Sequence, residues 1–213
     1  MPEALHILQA AKLQEDGLWL NGEKVWEGHI AEDFSANLKG LYKALELSYP
    51  KFYKMDNLSK FGFLAVEALL SKCTDMAGWN LSKTGVFLVN ASSSLDTDHK
   101  YYETVSTDED QIPSPALFVY TLPNILIGEI CIRHKFTGEQ GFFVSGHFDS
   151  GYLYPYLEQL FQNNILEQAI VGWVEIGQEK PIAKVALVAG PARENGKVFG
   201  QKDMAVFFEN KAL

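Results

Sequence analysis

A helix with no polar side constrains this chain most. Over Ile125–His134, the residues Ile125, Leu126, Ile127, Ile130, Cys131 and Ile132 leave almost every side apolar, and such a helix is buried in a core or an interface. It is too short to cross a bilayer, and Pro123, Asn124 and Glu129 interrupt the apolar run. Phe118–Asn124 reads as an apolar turn ahead of it. A loop bounded by Gly138 follows, then a strand over Phe142–Val144. That strand runs through Ser145-Gly146-His147-Phe148-Asp149-Ser150-Gly151 into a second helix ending near Asn163.

The rest of the chain supplies partners for that buried helix. Leu5–Gln9 reads as a strand, and Leu18–Trp26 as a hairpin turning at Asn21-Gly22. Phe34–Leu47 has helical spacing. Asn57–Leu70 is a stronger helix, with Phe61, Leu64, Ala65, Ala68 and Leu69 on one wide face. Thr84–Val89 contains the unbroken run Val86-Phe87-Leu88-Val89, the mark of a strand covered on both faces. Ser92–Pro115 is polar, acidic and closed by prolines, and reads as a loop. Ala169–Ile176, Ile182–Ala189 and Met204–Phe208 read as further strands. Strands alternating with helices imply an α/β protein with a largely parallel sheet. The Ser92–Pro115 loop is too short to separate domains, so residues 1–213 are taken as one.

Composition narrows the function. The 213 residues are 47% hydrophobic and 21% charged, enough for a core without disulfide or metal. The net charge of −9 disfavours nucleic acid and anionic membrane as partners, since phosphate binding needs clustered Lys and Arg. An acidic protein partner would need a local basic patch, for which Lys51, Lys54 and Lys60 are the candidates. The two cysteines, Cys73 and Cys131, fall in helical stretches, show no CxxC or zinc spacing, and suit a reducing compartment. No signal peptide is visible, which points to the cytoplasm, and Met1 reads as a true start. Asp96, Asp98, His99 and Glu103 lack the glycine turn of a calcium loop, and Asp108-Glu109-Asp110 reads as solvated. No metal or cofactor is expected.

Four segments in order resemble the N-terminal half of a β-ketoacyl-acyl-carrier-protein synthase, of the thiolase-like superfamily. Tyr53-Lys54-Met55-Asp56-Asn57 and its helix are similar to the family's Met-Asp-Arg segment. Lys83–Val89 is similar to its central strand. Pro123-Asn124, Gly128-Glu129-Ile130-Cys131-Ile132-Arg133 and Gly138 resemble its Pro-Asn, Gly-x-Ile-Ala-Ile-Arg and Gly run. The fourth segment is the strand, turn and helix after Gly141. The likeness covers about residues 50–175. It implies a thiolase-like half: a mixed, mostly parallel five-stranded sheet flanked by helices. In the family a second half packs against the first, so a lone half implies an uncovered apolar helical face.

The resemblance also implies a loss. Family enzymes carry a nucleophilic cysteine at the strand-to-helix turn, where the helix dipole favours the thiolate. His147 stands at that position here, and Cys131 lies inside the preceding helix. The C-terminal half, which carries two catalytic histidines, is not matched. The implied protein is a non-catalytic subunit, like the family's chain-length factors, acting with an acyl carrier protein and a catalytic synthase, or with a second copy of itself. Its expected working residues are Phe118, Tyr120, Pro123, Asn124, Phe142 and Phe143, at an interface or acyl pocket. An acyltransferase or thioester hydrolase using Ser145 or Ser150 with His147 is one alternative, and a stand-alone homodimer that binds an acyl chain or a carrier protein without chemistry is another. The plainer readings are that His147 is a turn residue and that Asp149 or Ser150 caps the next helix. Glu129 and Arg133 are placed to pair along their helix.

Overall fold

Every residue of the strand Thr84–Asn90 is buried, as a strand with no polar face requires. The computed structural model describes residues 4–30, 33–73, 76–106, 113–177, 180–190 and 196–209. Its strands are β1 (Leu5–Gln14), β2 (Gly17–Leu20), β3 (Glu23–Glu27), β4 (Thr84–Asn90), β5 (Gln140–Val144), β6 (Gln168–Glu175), β7 (Ile182–Ala189) and β8 (Lys197–Phe199). They form one sheet in the order β3-β2-β1-β7-β6-β4-β5, with β8 beside β1.

β4 pairs in parallel with both β5 and β6, whereas β7 runs against both β6 and β1. Thus β1, β4, β5 and β6 point one way and only β7 is reversed: the mixed, mostly parallel five-stranded core expected from the sequence. Three further strands extend it beyond that expectation. β1 is ten residues long, so one edge serves two partners: Leu5–Ile7 pair with β8 and Ala11–Gln14 with β2.

Helices cover both faces. On one side lie α1 (Phe34–Ala44), α2 (Asn57–Leu70) and α5 (Ile125–His134), packed on Leu13, Val86, Leu88, Ile170, Val185 and Leu187. On the other lie α6 (Ser150–Gln162) and α7 (Gln201–Glu209), packed on Phe87, Val89, Ala169, Val171, Ala186 and Val188. All of α2 except Asn57 is buried. Gly62 of α2 lets α5 approach, because a Cβ there would meet Leu126 Cδ2 at 2.6 Å.

Four sequence expectations change. The Ser92–Pro115 loop contains a helix, α3 (Leu95–Ser106), in which only Thr97 is buried. Side chains far away in sequence hold it: Thr97 Oγ1 donates to Asp56 Oδ2 at 2.8 Å, and Asn57 Nδ2 donates to Asp96 Oδ2 at 3.0 Å. Asp108-Glu109-Asp110 lies outside the described residues. The apolar turn at Phe118 is instead the end of a short helix, α4 (Pro115–Tyr120), started by Pro115 and capped by Ser114, which accepts from Leu117 N at 3.3 Å. Met204–Phe208 is helical rather than extended, since it belongs to α7. Met204 and Phe208, one turn apart, are its buried contacts with the second core. Cys73 lies just past the end of α2 rather than within a helix.

The uncovered apolar helical face is not found on α6. Its outward residues are Gly151, Tyr152, Pro155, Gln159 and Gln162, of which only Tyr152 is a large apolar side chain. No helix among the described residues is long and apolar enough to cross a membrane.

Candidate functional site

The turn between β5 and α6 is built as a rigid presenting platform. Ser145 N donates to Asn90 O at 2.9 Å, which ties the end of β5 to the end of β4. Asn90 then closes its own loop: its Oδ1 accepts from Ser93 N at 3.0 Å and its Nδ2 donates to Ser93 O at 2.8 Å. Phe148 plugs the turn from below, stacked on Phe208 with ring centres 4.1 Å apart. Asp149 caps α6, accepting from Tyr152 N at 3.1 Å, as the plainer reading of the sequence had it.

On this platform His147 is exposed, Ser145 is half-buried and Ser150 is buried. His147 makes no hydrogen bond or ion pair with any described residue, and none joins it to Ser145 or Ser150. A base that activates a serine must lie within hydrogen-bond reach of it, so the turn does not assemble that pair. Neither thiol replaces it. Burial pushes the Cys131 thiol up to about 11, and its Sγ faces Gln140 Oε1 at 3.7 Å. Burial also raises Cys73. Both shifts disfavour the thiolate, which is the reactive form.

The six residues expected at an interface or acyl pocket occupy two places. Phe118 and Asn124 are exposed, and Phe118 leans on Tyr101 of α3 with centroids 5.6 Å apart. Pro123 is half-buried between α4 and α5. Tyr120 turns inward and donates to Glu129 Oε1 at 3.1 Å. Burial first, then the Glu129 charge, raises its phenol well above the usual tyrosine range. Phe142 and Phe143 point to opposite faces of β5, as strand alternation requires. Phe142 packs on the α2–α5 core. Phe143 packs on the other core, edge-on to Tyr152 at 5.7 Å and Tyr156 at 6.3 Å. Tyr120 and Phe142 therefore lean on the same core, while Phe118 and Phe143 lie apart from it.

The charged side chains are paired differently from the sequence expectation. Glu129 is buried and meets Lys51 Nζ at 2.9 Å, not Arg133. Arg133 instead stands 3.6 Å from Glu67, and its Nη1 donates to Ser48 O at 3.3 Å. His134 Nε2 lies 2.6 Å from the same Glu67 oxygen. The proposed basic patch is reduced accordingly, since Lys51 is held by Glu129. Lys60 is buried, its ammonium pushed below the usual lysine range by desolvation and then by the Lys39 charge. Only Lys54 of the three stands exposed without an ion pair among the described residues.

Sequence reasoning missed two places. Glu175, at the end of β6, gathers three backbone N–H groups: Ala91 at 2.8 Å, Ser92 at 3.0 Å and Gly177 at 2.7 Å. It thereby clamps the loop leading into α3. A pocket of about 290 Å3 lies away from the turn, lined by Ala10, Ala11, Lys12, Trp19, Gly22 and Phe207. A lysine facing a tryptophan across a hairpin was the only sequence signal for it. Among the described residues, no three His, Cys, Asp or Glu side chains gather as a metal site.

No protein-family model and no curated protein matches the chain. Solved structures do. The ishigamide ketosynthase/chain length factor is similar with a TM-score of 0.64 and 17% identity, over 92% of this chain and 64% of that one. The fold is that of the ketosynthases, the thiolase-like fold. A type II polyketide acyl-carrier protein in complex with its ketosynthase bound to the hexaketide matches with a TM-score of 0.62 and 13% identity, over 90% of this chain and 64% of that one. A ketosynthase in complex with its chain length factor from Xenorhabdus doucetiae gives 0.55 and 12%, over 87% of this chain and 79% of that one. This chain thus spans 64% of the first two matched chains. In the third, the matched chain is closer to it in length.

Proposed function

We propose that this chain is a non-catalytic, chain-length-factor-like subunit that works beside an active ketosynthase in polyketide, fatty-acid or aryl-polyene-type synthesis. The observation that carries the reading is the β5–α6 turn. It has a ketosynthase scaffold, but it presents the unbonded imidazole of His147 where the resemblance calls for a thiol; of the two real thiols, Cys131 is buried and Cys73 half-buried, and both lie outside the turn. The platform is kept and the nucleophile is not.

β5 supplies the place for the active partner. Among the described strands it pairs with β4 alone, so its outer edge is open. Open edges are normally blunted by Lys, Pro or short length, and Gln140-Gly141-Phe142-Phe143-Val144 carries neither residue. Val144 is 56% exposed and Tyr152 beside it 57%. A partner strand added here extends the sheet across both chains. Phe118, Tyr120, Pro123 and Asn124, in the α4–α5 connection, then shape the acyl pocket through packing. The known complexes among similar structures, one with an acyl-carrier protein and one with a chain length factor, support these partner classes.

Coexpression with a cysteine-bearing ketosynthase tests the reading. The expected result is a stable heteromer by light scattering, lost on Val144→Lys with the melting temperature of the isolated chain unchanged. A chain that stays monomeric beside the synthase and binds no hydrophobic dye rejects it. A homodimer broken by the same substitution moves the open edge to a second copy. Incubation with acyl-loaded carrier protein is expected to add no mass, and an acyl adduct on His147, Ser145 or Ser150 overturns the non-catalytic assignment.

A further inference from the structure

Glu129 is the one acid of the apolar helix α5, and its side chain is only 4% exposed. Tyr120 Oη donates to its Oε1 at 3.1 Å, and Lys51 Nζ meets its Oε2 at 2.9 Å. Arg133, one turn along, is drawn away by Glu67 and Ser48 O. The acids that meet Lys83, Lys100 and Lys180 have side chains 32–40% exposed. Lys51 differs from these lysines in facing an acid that water does not reach.

The cluster divides the work between the two carboxylate oxygens. Burial, then the Glu129 charge and the hydrogen bond to it, raises the Tyr120 phenol above the usual tyrosine range, so Tyr120 stays protonated and remains a donor. That commits Oε1 to Tyr120 and leaves Oε2 to exchange a proton with Lys51. The lysine itself reaches solvent, with 43% of its side chain exposed. Tyr49 belongs to the same cluster, since it too raises Tyr120, and its buried hydroxyl has no hydrogen-bond partner among the described residues. The flanking chain is apolar and open, with Tyr53, Val119 and Leu122 all exposed. A nucleophile beside a base, with the base fixed by a third group, is the arrangement that covalent chemistry requires.

The buried carboxylate also selects the chemistry. A buried charge that loses its partner is strongly destabilising, so whatever forms on Lys51 has to remain a cation. An amide, the product of acyl transfer, is neutral and would strand Glu129. A protonated imine keeps the positive charge on the same nitrogen. Condensation with a carbonyl is therefore favoured over acylation.

We propose that Lys51 condenses with an aldehyde or ketone carried on an apolar body, forming a protonated imine opposite Glu129. Glu129 Oε2 takes one proton from the ammonium, and the nitrogen lone pair forms the C–N bond as the carbonyl π pair moves to oxygen. A second nitrogen proton passes to that oxygen, giving a carbinolamine. Glu129 returns its proton to the new hydroxyl, the C–O bond breaks and water leaves. The C=N bond forms with the third proton still on nitrogen, and nothing is oxidised or reduced. The site does not rest on the subunit reading, in which Lys51 and Glu129 take no part.

Treating the full chain with hexanal and sodium cyanoborohydride, which reduces the imine to a stable secondary amine, tests it, with peptide mapping by mass spectrometry as the readout. Lys54, exposed and without an ion pair among the described residues, is the internal control. Lys51 is expected to be alkylated about tenfold or more faster than Lys54, and Glu129→Gln should remove that excess while leaving Lys54 unchanged. Hexanoyl-N-acetylcysteamine, a thioester of the same chain length, should acylate Lys51 no faster than Lys54. Equal alkylation of the two lysines, or an excess that survives Glu129→Gln, overturns the site. Preferred acylation of Lys51 overturns the carbonyl assignment. If Glu129→Gln does not fold, the unsubstituted chain in concentrated urea takes its place: the excess should vanish there, and an excess that persists overturns the site.

Discussion

Replacing Glu175 by Gln removes a charge and leaves the shape. Its two carboxylate oxygens accept from Ala91 N at 2.8 Å, Ser92 N at 3.0 Å and Gly177 N at 2.7 Å, and the residue is 8% exposed. A hydrogen bond to a charged group contributes about 1.5–3 kcal/mol, roughly twice a neutral one, and orphaning a buried donor costs about 1–3 kcal/mol. The Gln amide keeps one acceptor oxygen, so its NH2 must face either Gly177 N or the Ala91–Ser92 pair. One group of donors is orphaned and the other is weakened, for a loss of about 2–4 kcal/mol. At about 2–4 °C per kcal/mol for a chain of this size, the melting temperature falls by roughly 4–16 °C. Urea unfolding with an unchanged m-value measures the loss, and amide exchange at Ala91 and Ser92 locates it. The clamp also holds the start of α3, and Ser94 in the same loop hooks α4 by donating to Thr121 O, so exchange should quicken along α3 as well. A loss under about 0.5 kcal/mol, or unchanged exchange at Ala91 and Ser92, would refute the account of Glu175 as a clamp.

Gly138→Ala should destabilise by about 2 kcal/mol or more, because a Cβ there meets the Thr84 backbone O and lies 2.8 Å from its C and 2.9 Å from its N, none of which can yield without moving β4; the denaturation midpoint reads it. With its thiol pushed up to about 11, Cys131 should label slowly at pH 8 and faster as pH rises. Because the folded value is raised above the unfolded one of about 8.5, the linked stability is whole below about pH 8.5 and drains away as pH climbs to about 11; urea midpoints across that window check the sign. Asp149→Ala should cost about 0.5–2 kcal/mol by uncapping α6, whereas His147→Ala should change stability by less than about 0.5 kcal/mol and leave no thioester turnover to lose, as thermal melts and a thiol-release assay would report.

Where side chains announced their own burial, the sequence was readable. The unbroken run in β4 and the stripe on α2 each permit one environment, and each is found there; α5 buries Leu126, Ile127, Ile130 and Cys131 but leaves Ile132 63% exposed. α3 gave no such signal, because it is a polar helix whose one buried residue, Thr97, is held by Asp56 from 41 positions away. α7 misled for a different reason: five residues of Met204–Phe208 are too few to separate a period of two from a period of 3.6. The site divided in the same way. The turn and its Asp149 cap were legible because capping is local. The partners of Glu129 and Arg133 were not, because a charge inside a core finds its partner through the fold, and helical spacing says nothing of Lys51 or Glu67. The pairing of Lys12 with Lys184 depends on register between strands 172 residues apart in numbering, which no local pattern encodes.

The reversed strand β7 sets an order of events during synthesis. β1 leaves the ribosome well before its main neighbour, β7, which ends at Ala189. Until then β1 has only the β2–β3 hairpin beside it, a short ribbon that is marginal in water. The nascent chain must therefore carry an apolar, half-paired strand until β7 has been made, a hazard of topologies rich in distant contacts. A slow stretch of codons or a holding chaperone would act on that waiting hairpin, and the sheet would close in one late step when β7 slides between β1 and β6.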